Sequence, residues 1–341
     1  MQWHGTITLA LQLLIYVILL NGPNNASAAS VEKRHADFWQ VRTHLKKDHS
    51  TAEEDLEVHP SKYFHESRFH PHYDGRFTDK PLLYEHRGPH LTALIQTYLS
   101  TMSSLGAETW LMHGSLLGWW WNKKLMPWDT DFDLMISERT MHHLAGYYNM
   151  SMHSFTLYTI PQPTSKPYSE SGAQETGPAG ESKKDGGEGV VREYMLEVNP
   201  HYLNDTEDLY NHIDARWVDT TTGLFIDITT LRHNTTFTRL GGRPDRMMCK
   251  DGHKYWYDEI YPLRESVFEG VPVKIPYAYS SLLVEEYGPG ALTDTSFENH
   301  WFDEEVGNWE MVKAGRRPKV QNELRDVRLG WGAQWWLMFG W

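Results

Sequence analysis

Between residues 90 and 106, apolar side chains recur at spacings of three and four: Leu91, Leu94, Ile95, Tyr98, Leu99 and Met102. That rhythm predicts an amphipathic helix, which Gly106 ends. The stretch "ERTMHHLAGYYN" reads as a second helical patch, in which His142 and His143 are solvated or core-edge histidines, and "SMHSFTLYTI" after it reads as extended. Further on, "REYMLEVNPHY" predicts a strand, and "DARWVDTTTGLFIDITTL" predicts a hairpin turning at Thr220 to Gly223. In its second arm Phe225, Asp227 and Thr229 share one face, so Asp227 is a lone acid on an apolar strand. Residues 261 to 288 predict a short hairpin and a helix from Tyr279 to Tyr287, stopped by Gly288 and Pro289.

Four segments lack such a pattern. Residues 30 to 85 are polar and mixed in charge and read as a stem or pre-domain extension, with His65, His70 and His72 in a solvated loop. Residues 161 to 189 hold no large aliphatic residue and read as a disordered insertion inside one domain, because the chemistry resumes beyond it. Residues 291 to 341 form a Trp-rich extension, and residues 1 to 29 carry the apolar run "ITLALQLLIYVILL" followed by Ala26-Ser27-Ala28. That run is short for a spanning helix and fits a cleaved signal peptide or a retained type II anchor; both direct the chain to the secretory pathway, as a Golgi-lumenal or secreted protein. The sequons at Asn25, Asn149, Asn204 and Asn234 agree with that route as glycosylation candidates. The domain with the patterned elements runs from 86 to 290.

Composition narrows the chemistry. A net charge of -13 argues against a sequence-independent nucleic-acid binder, which needs a basic surface. The single cysteine, Cys249, rules out an intrachain disulfide and a Cys-cluster zinc site.

The densest chemistry lies in "HGSLLGWWWNKKLMPWDTDFDLMI". Its acids at 129, 131 and 133 fall on one face if the segment is a strand, and Phe132, Leu134 and Ile136 then face the core. Carboxylates grouped this way are hard ligands suited to Mg²⁺ or Mn²⁺, and Asp227 from a neighbouring strand would complete a clamp on a phosphoryl group. An exposed acidic edge that blunts strand pairing is the plainer alternative. "HGSLLG" does not have the G-x-S-x-G spacing of a nucleophile elbow; a Gly114-Ser115 turn opening a helix offers backbone N–H groups and a hydroxyl to an anion instead. Lys123, Lys124 and Lys274 are solvated lysines or phosphate neutralisers, and Trp119 to Trp121 are packing residues or an indole platform for a base or sugar.

A Gly-Ser turn, a helix, alternating acids on a strand and a further acid on a later strand resemble the nucleotidyltransferase fold of the polymerase-beta type, a mixed α/β (α+β) sheet flanked by helices. Within it, the motif is similar to the LicD family, which includes fukutin, fukutin-related protein and fungal proteins of mannosylphosphorylation. "GLFIDIT" and "YPLRESVFEGVPVKIP...LLVEEYG" resemble the family's downstream motifs in the same order. The resemblance implies metal-dependent transfer of a phosphate-linked sugar, sugar alcohol or choline from a GDP-mannose or CDP-linked donor to a hydroxyl of a glycan or glycoprotein. Carried over, Gly114 and Ser115 match the phosphate-binding turn, Asp131 and Asp133 the metal pair, and Asp227 the third carboxylate, with Asp129 in support. Asp227 or Asp133 would take the acceptor proton. Because such families include activators, a non-catalytic regulator of a separate glycosyltransferase is the other expectation.

Overall fold

The computed structural model describes residues 45–50, 62–158, 189–208 and 210–312. The expected leader, all but the last residue of the insertion at 161–189, Asn25 and most of the Trp-rich tail lie outside them. Among the described residues no helix is long and apolar enough to cross a membrane.

The first element, α1 (Tyr84–Leu105), starts seven residues before Leu91, the first residue of its predicted apolar stripe, and ends at Gly106, whose φ of 64° closes the helix with backbone bonds to Met102 and Ser103. All six predicted stripe residues are buried. In chain order there follow β1 (Thr109–Leu111), α2 (His113–Asn122), β2 (Asp133–Ser137), α3 (Glu138–Tyr147), β3 (Ser151–Leu157), β4 (Val190–Val198), β5 (Ala215–Asp219) and β6 (Phe225–His233). After these come α4 (Thr235–Arg239), β7 (Arg246–Met248), β8 (Lys254–Trp256), α5 (Tyr257–Ile260), β9 (Arg264–Phe268), β10 (Val271–Ile275) and α6 (Tyr279–Tyr287). Ser137 opens α3 by accepting the Thr140 N–H on its hydroxyl, a cap of the ordinary kind.

The main sheet is mixed, with order β1-β2-β6-β5-β4-β3 and β7 and β8 continuing from β6. Only β2 and β6 pair in parallel; β1 meets β2, and β6 meets β5, antiparallel. The fold class read from the sequence, a mixed α/β sheet flanked by helices, holds. α1 covers the sheet through an aromatic seam: Tyr98 meets Trp217 edge-on at 6.2 Å, and the Tyr194 and Trp217 rings stack at 5.6 Å. The Trp217 indole donates to Thr97 Oγ1 at 3.3 Å, so its polar atom is not stranded in the core.

Two expectations change. Strand β2 begins at Asp133, so Asp129 and Asp131 sit in the loop that leads into it; the alternation rule holds for strand residues, and the Pro127–Asp129 turn defers the strand. The described part of the expected stem belongs to the fold, because Phe64, Tyr73 and Phe77 are buried and Tyr73 bridges to Leu224. A polar segment can read as a stem while its few aromatic residues anchor it.

The chain divides into two compact units, 1–293 and 294–341. The described part of the second is a three-stranded sheet, β11 (Ser296–Phe297), β12 (His300–Asp303) and β13 (Asn308–Met311), with Trp309 packed edge-on against Phe302 at 5.4 Å.

Candidate active site

The β1–α2 turn and the start of β2 are tied together through Asp133. Ser115 Oγ accepts the Asp133 backbone N–H at 3.0 Å, and the Asp133 carbonyl accepts the Met112 N–H at 3.2 Å. Ser115 is 2% exposed, so its hydroxyl, expected to meet a phosphate, faces inward and pins the acidic strand. A Cβ at Gly114 would lie 3.6 Å from Asp129 Oδ2, which places the turn directly against that acid. Gly118 is needed for a different reason: a Cβ there would meet the Lys124 carbonyl at 2.4 Å, where the chain crosses back over α2 towards the acids.

The parallel pairing of β2 and β6 sets Asp133 directly beside Asp227. Next to Asp227 on the other side is Arg216, its cross-strand partner, whose Nε donates to Asp227 Oδ1 at 2.7 Å. The guanidinium lies 3.8 Å over the Phe225 ring and 4.8 Å over Phe64, which holds the pair in one orientation. Asp131 lies 3.6 Å from His72 Nε2, and His72 Nδ1 bonds to Thr130. The acids thus form one edge, closed on one flank by the His72 segment and on the other by Arg216.

Electrostatics mark this edge. Burial, then the charges of Asp131 and Asp133, push the Asp129 carboxyl well above the usual carboxylate range. Burial and Asp131, reinforced by Asp227 and Glu286 and opposed by His113, lift Asp133 to about 8. Like charges gathered in a half-buried cleft disfavour ionisation together, and such displaced groups concentrate at functional sites.

The other expected residues are placed elsewhere. Lys123 is exposed at the end of α2, in the left-handed conformation that closes the helix. Lys274 is paired with Glu108 at 3.2 Å and Glu265 at 3.8 Å. Glu108 precedes β1 at the end opposite Asp133, and the shallow pocket it lines with Tyr257, Tyr261 and Lys274 lies at that end as well. The three tryptophans pack: Trp119 donates to Ser266 Oγ at 2.7 Å, Trp121 to the Ala291 carbonyl at 3.0 Å, and Trp120 lies at 37% exposure beside Tyr279. Of the sequons, Asn149 accepts the Val198 N–H, Asn204 accepts the Thr206 N–H, and Asn234 is 7% exposed and caps α4. A glycan on Asn234 would have to leave from a side chain that is only 7% exposed.

Arg216 was not singled out in the sequence, and His72, read there as a solvated loop histidine, instead meets Asp131 and Thr130. Arg216 was within reach of the sequence: counting outward from the turn at 220 to 223 places it opposite Asp227. His72 had no local signal, because its target lies 58 residues on.

Residues 106–159, which hold the Gly-Ser turn and the acids at 129, 131 and 133, are similar to the LicD/FKTN/FKRP nucleotidyltransferase domain. The chain is also similar to two proteins of Saccharomyces cerevisiae: mannosyltransferase regulator 4, at 28% identity over 49% of this chain, and mannosyltransferase regulator 14, at 28% identity over 41%. Each alignment covers 12% of the relative's length, so the chain corresponds to a small part of either.

Proposed function

We propose that the acidic edge is the active site of a metal-dependent glycan phosphotransferase of the secretory pathway. It would move a mannosylphosphate-like, sugar-alcohol phosphate or phosphocholine group from a GDP-mannose or CDP-linked donor to a hydroxyl of a glycan or glycoprotein. The observation that carries this reading is the register placing Asp133 beside Asp227, with Asp133 lifted to about 8 by burial and its acidic neighbours. A half-buried carboxylate among carboxylates holds a proton or a cation at neutral pH, and oxygen-only donors favour Mg²⁺ or Mn²⁺ as that cation. Asp131, Asp133 and Asp227 would hold it, with Asp129 behind them. Bound there, the cation supplies charge neutralisation for the donor diphosphate and the leaving group.

The chain's own residues do the rest. Gly114 leaves the start of α2 open, and Met112 caps that helix with no side-chain bond, so the first-turn N–H groups can take a phosphate oxygen. Met112 and Ser115 fix Asp133 through its backbone. Arg216 engages Asp227 Oδ1 and leaves Oδ2 available to take the acceptor proton, a role Asp133 can share. The leader at 1 to 29 would deliver the domain to the Golgi lumen or to secretion.

The test is turnover by the purified full chain with Mn²⁺, a panel of GDP-mannose and CDP-linked donors, and a mannose-rich acceptor. Wild type is expected to transfer; Asp131→Asn and Asp133→Asn are expected to stay folded by circular dichroism and lose transfer. Transfer surviving in both variants would contradict the proposal. The names of the two yeast relatives favour a second reading, in which the chain regulates a separate mannosyltransferase. Under it, the chain alone turns over no donor, yet stimulates a co-purified transferase, and the two Asn variants stimulate equally.

A further inference from the structure

Beside the acidic edge lies a second group of metal-ligating side chains that this transferase reading does not use. His113, at the start of α2, His253, in the turn between β7 and β8, and Glu286, near the end of α6, each offer a donor atom, and these atoms all lie within 4.8 Å of one another. His113 Nδ1 is 2.7 Å from Glu286 Oε1, and the two imidazole rings stand 4.7 Å apart at 52°. We propose that His113, His253 and Glu286 form a zinc site that fastens the α2 N-terminus to the β7–β8 turn and to α6.

Three observations converge on it. Donor type is the first: two imidazoles and one carboxylate are borderline ligands that suit Zn²⁺, with N and O bonds of about 2.0–2.2 Å, whereas the oxygen-only acidic edge suits Mg²⁺ or Mn²⁺. The second is a neighbouring carboxylate. Asp251 Oδ1 lies 3.1 Å from His253 Nδ1 and also accepts the His253 backbone N–H at 3.0 Å. A carboxylate beside a histidine ring is a common companion of a metal-bound imidazole. The third is strain. His113 is buried with φ of 49°, a left-handed conformation that costs a residue with a Cβ, and such outliers persist where surrounding structure enforces them. Zinc binding would displace any proton from the coordinating nitrogen of His113.

The ion pair between His113 and Glu286 is the competing account, in which nothing but a proton occupies the site. The full chain, stripped by chelation, is titrated with Zn²⁺ alone, and the bound metal is examined by X-ray absorption. The expected result is one zinc equivalent with two imidazole neighbours. His253→Asn, on a half-exposed ring, and Glu286→Gln lose that equivalent; Asp131→Asn keeps it; Asp251→Asn weakens it by about 10- to 100-fold. No retained zinc, zinc with oxygen neighbours alone, or an unchanged imidazole signature in His253→Asn would overturn the proposal. If a variant fails to fold, the wild-type spectrum decides. Failure here leaves the transferase reading standing, since that reading rests on the aspartates.

Discussion

Two clusters of charge sit at opposite ends of β6, and they are built by opposite rules. At its far end Asp214 is fully buried, yet every oxygen is answered: Arg232 donates to both at 3.1 Å, Lys250 lies 2.9 Å away, and the Thr230 N–H donates at 2.9 Å. At the near end Asp227 meets Asp133, with Asp131 and Asp129 alongside, and one guanidinium serves the group at Asp227. Burial is tolerated at Asp214 because bases repay the lost solvation. At Asp133 acids face acids, an arrangement that serves folding poorly and cation binding well.

If that contrast is right, substitutions should separate stability from function. The largest effect is expected at the satisfied end: Asp214→Asn strands Lys250 and Arg232 without their counter-charge and should cost ~3–5 kcal/mol in urea denaturation. Asp133→Asn should leave stability unchanged or raise it, since burial and the neighbouring acids already work against the ionised carboxylate. Equal losses at the two ends would erase the comparison.

Next in size is a pH effect that belongs to the core and not to the acidic edge. Burial lowers the imidazole of His153 to about 4; its ring packs 5.0 Å from Trp217. With the folded value below the ordinary one of about 6.5, the neutral ring's contribution is full above pH 6.5 and is lost as pH falls through 4. The loss should be on the order of 3 kcal/mol. Because the raised carboxyls of Asp129 and Asp133 change stability in the opposite direction over this range, it is read as the wild-type urea midpoint minus that of His153→Leu, a difference that should fall between pH 7 and pH 4. A difference that does not change with pH would remove His153 from the account.

The smallest expected effect sharpens the link between turn and strand. Ser115→Ala removes the acceptor of the Asp133 N–H and should cost ~1 kcal/mol in stability. Its effect on transfer should exceed its effect on folding, because it loosens the backbone of Asp133.

Much of this was legible in the sequence where the rules are local. Periodicity located α1 and α6 and the β5–β6 hairpin, because one face of each is buried and the pattern records it. The acids were legible because carboxylates concentrate in an otherwise apolar segment. What escaped depends on long-range docking. His72 reaches Thr130 across the fold, Asp74 and Arg76 join Glu197 across 121 residues, and His113 meets Glu286 across 173. Lys274 looked available because its partners Glu108 and Glu265 are joined to it by the fold: β10 pairs with β9, which sets Lys274 beside Glu265.

The most direct test of the central claim, that the acidic edge is a cation site, is electron paramagnetic resonance of Mn²⁺ titrated into the full chain. The account predicts bound Mn²⁺ in wild type and in His253→Asn, and its loss in Asp133→Asn. Mn²⁺ binding that survives Asp133→Asn, or is absent from the folded wild-type protein, would contradict it.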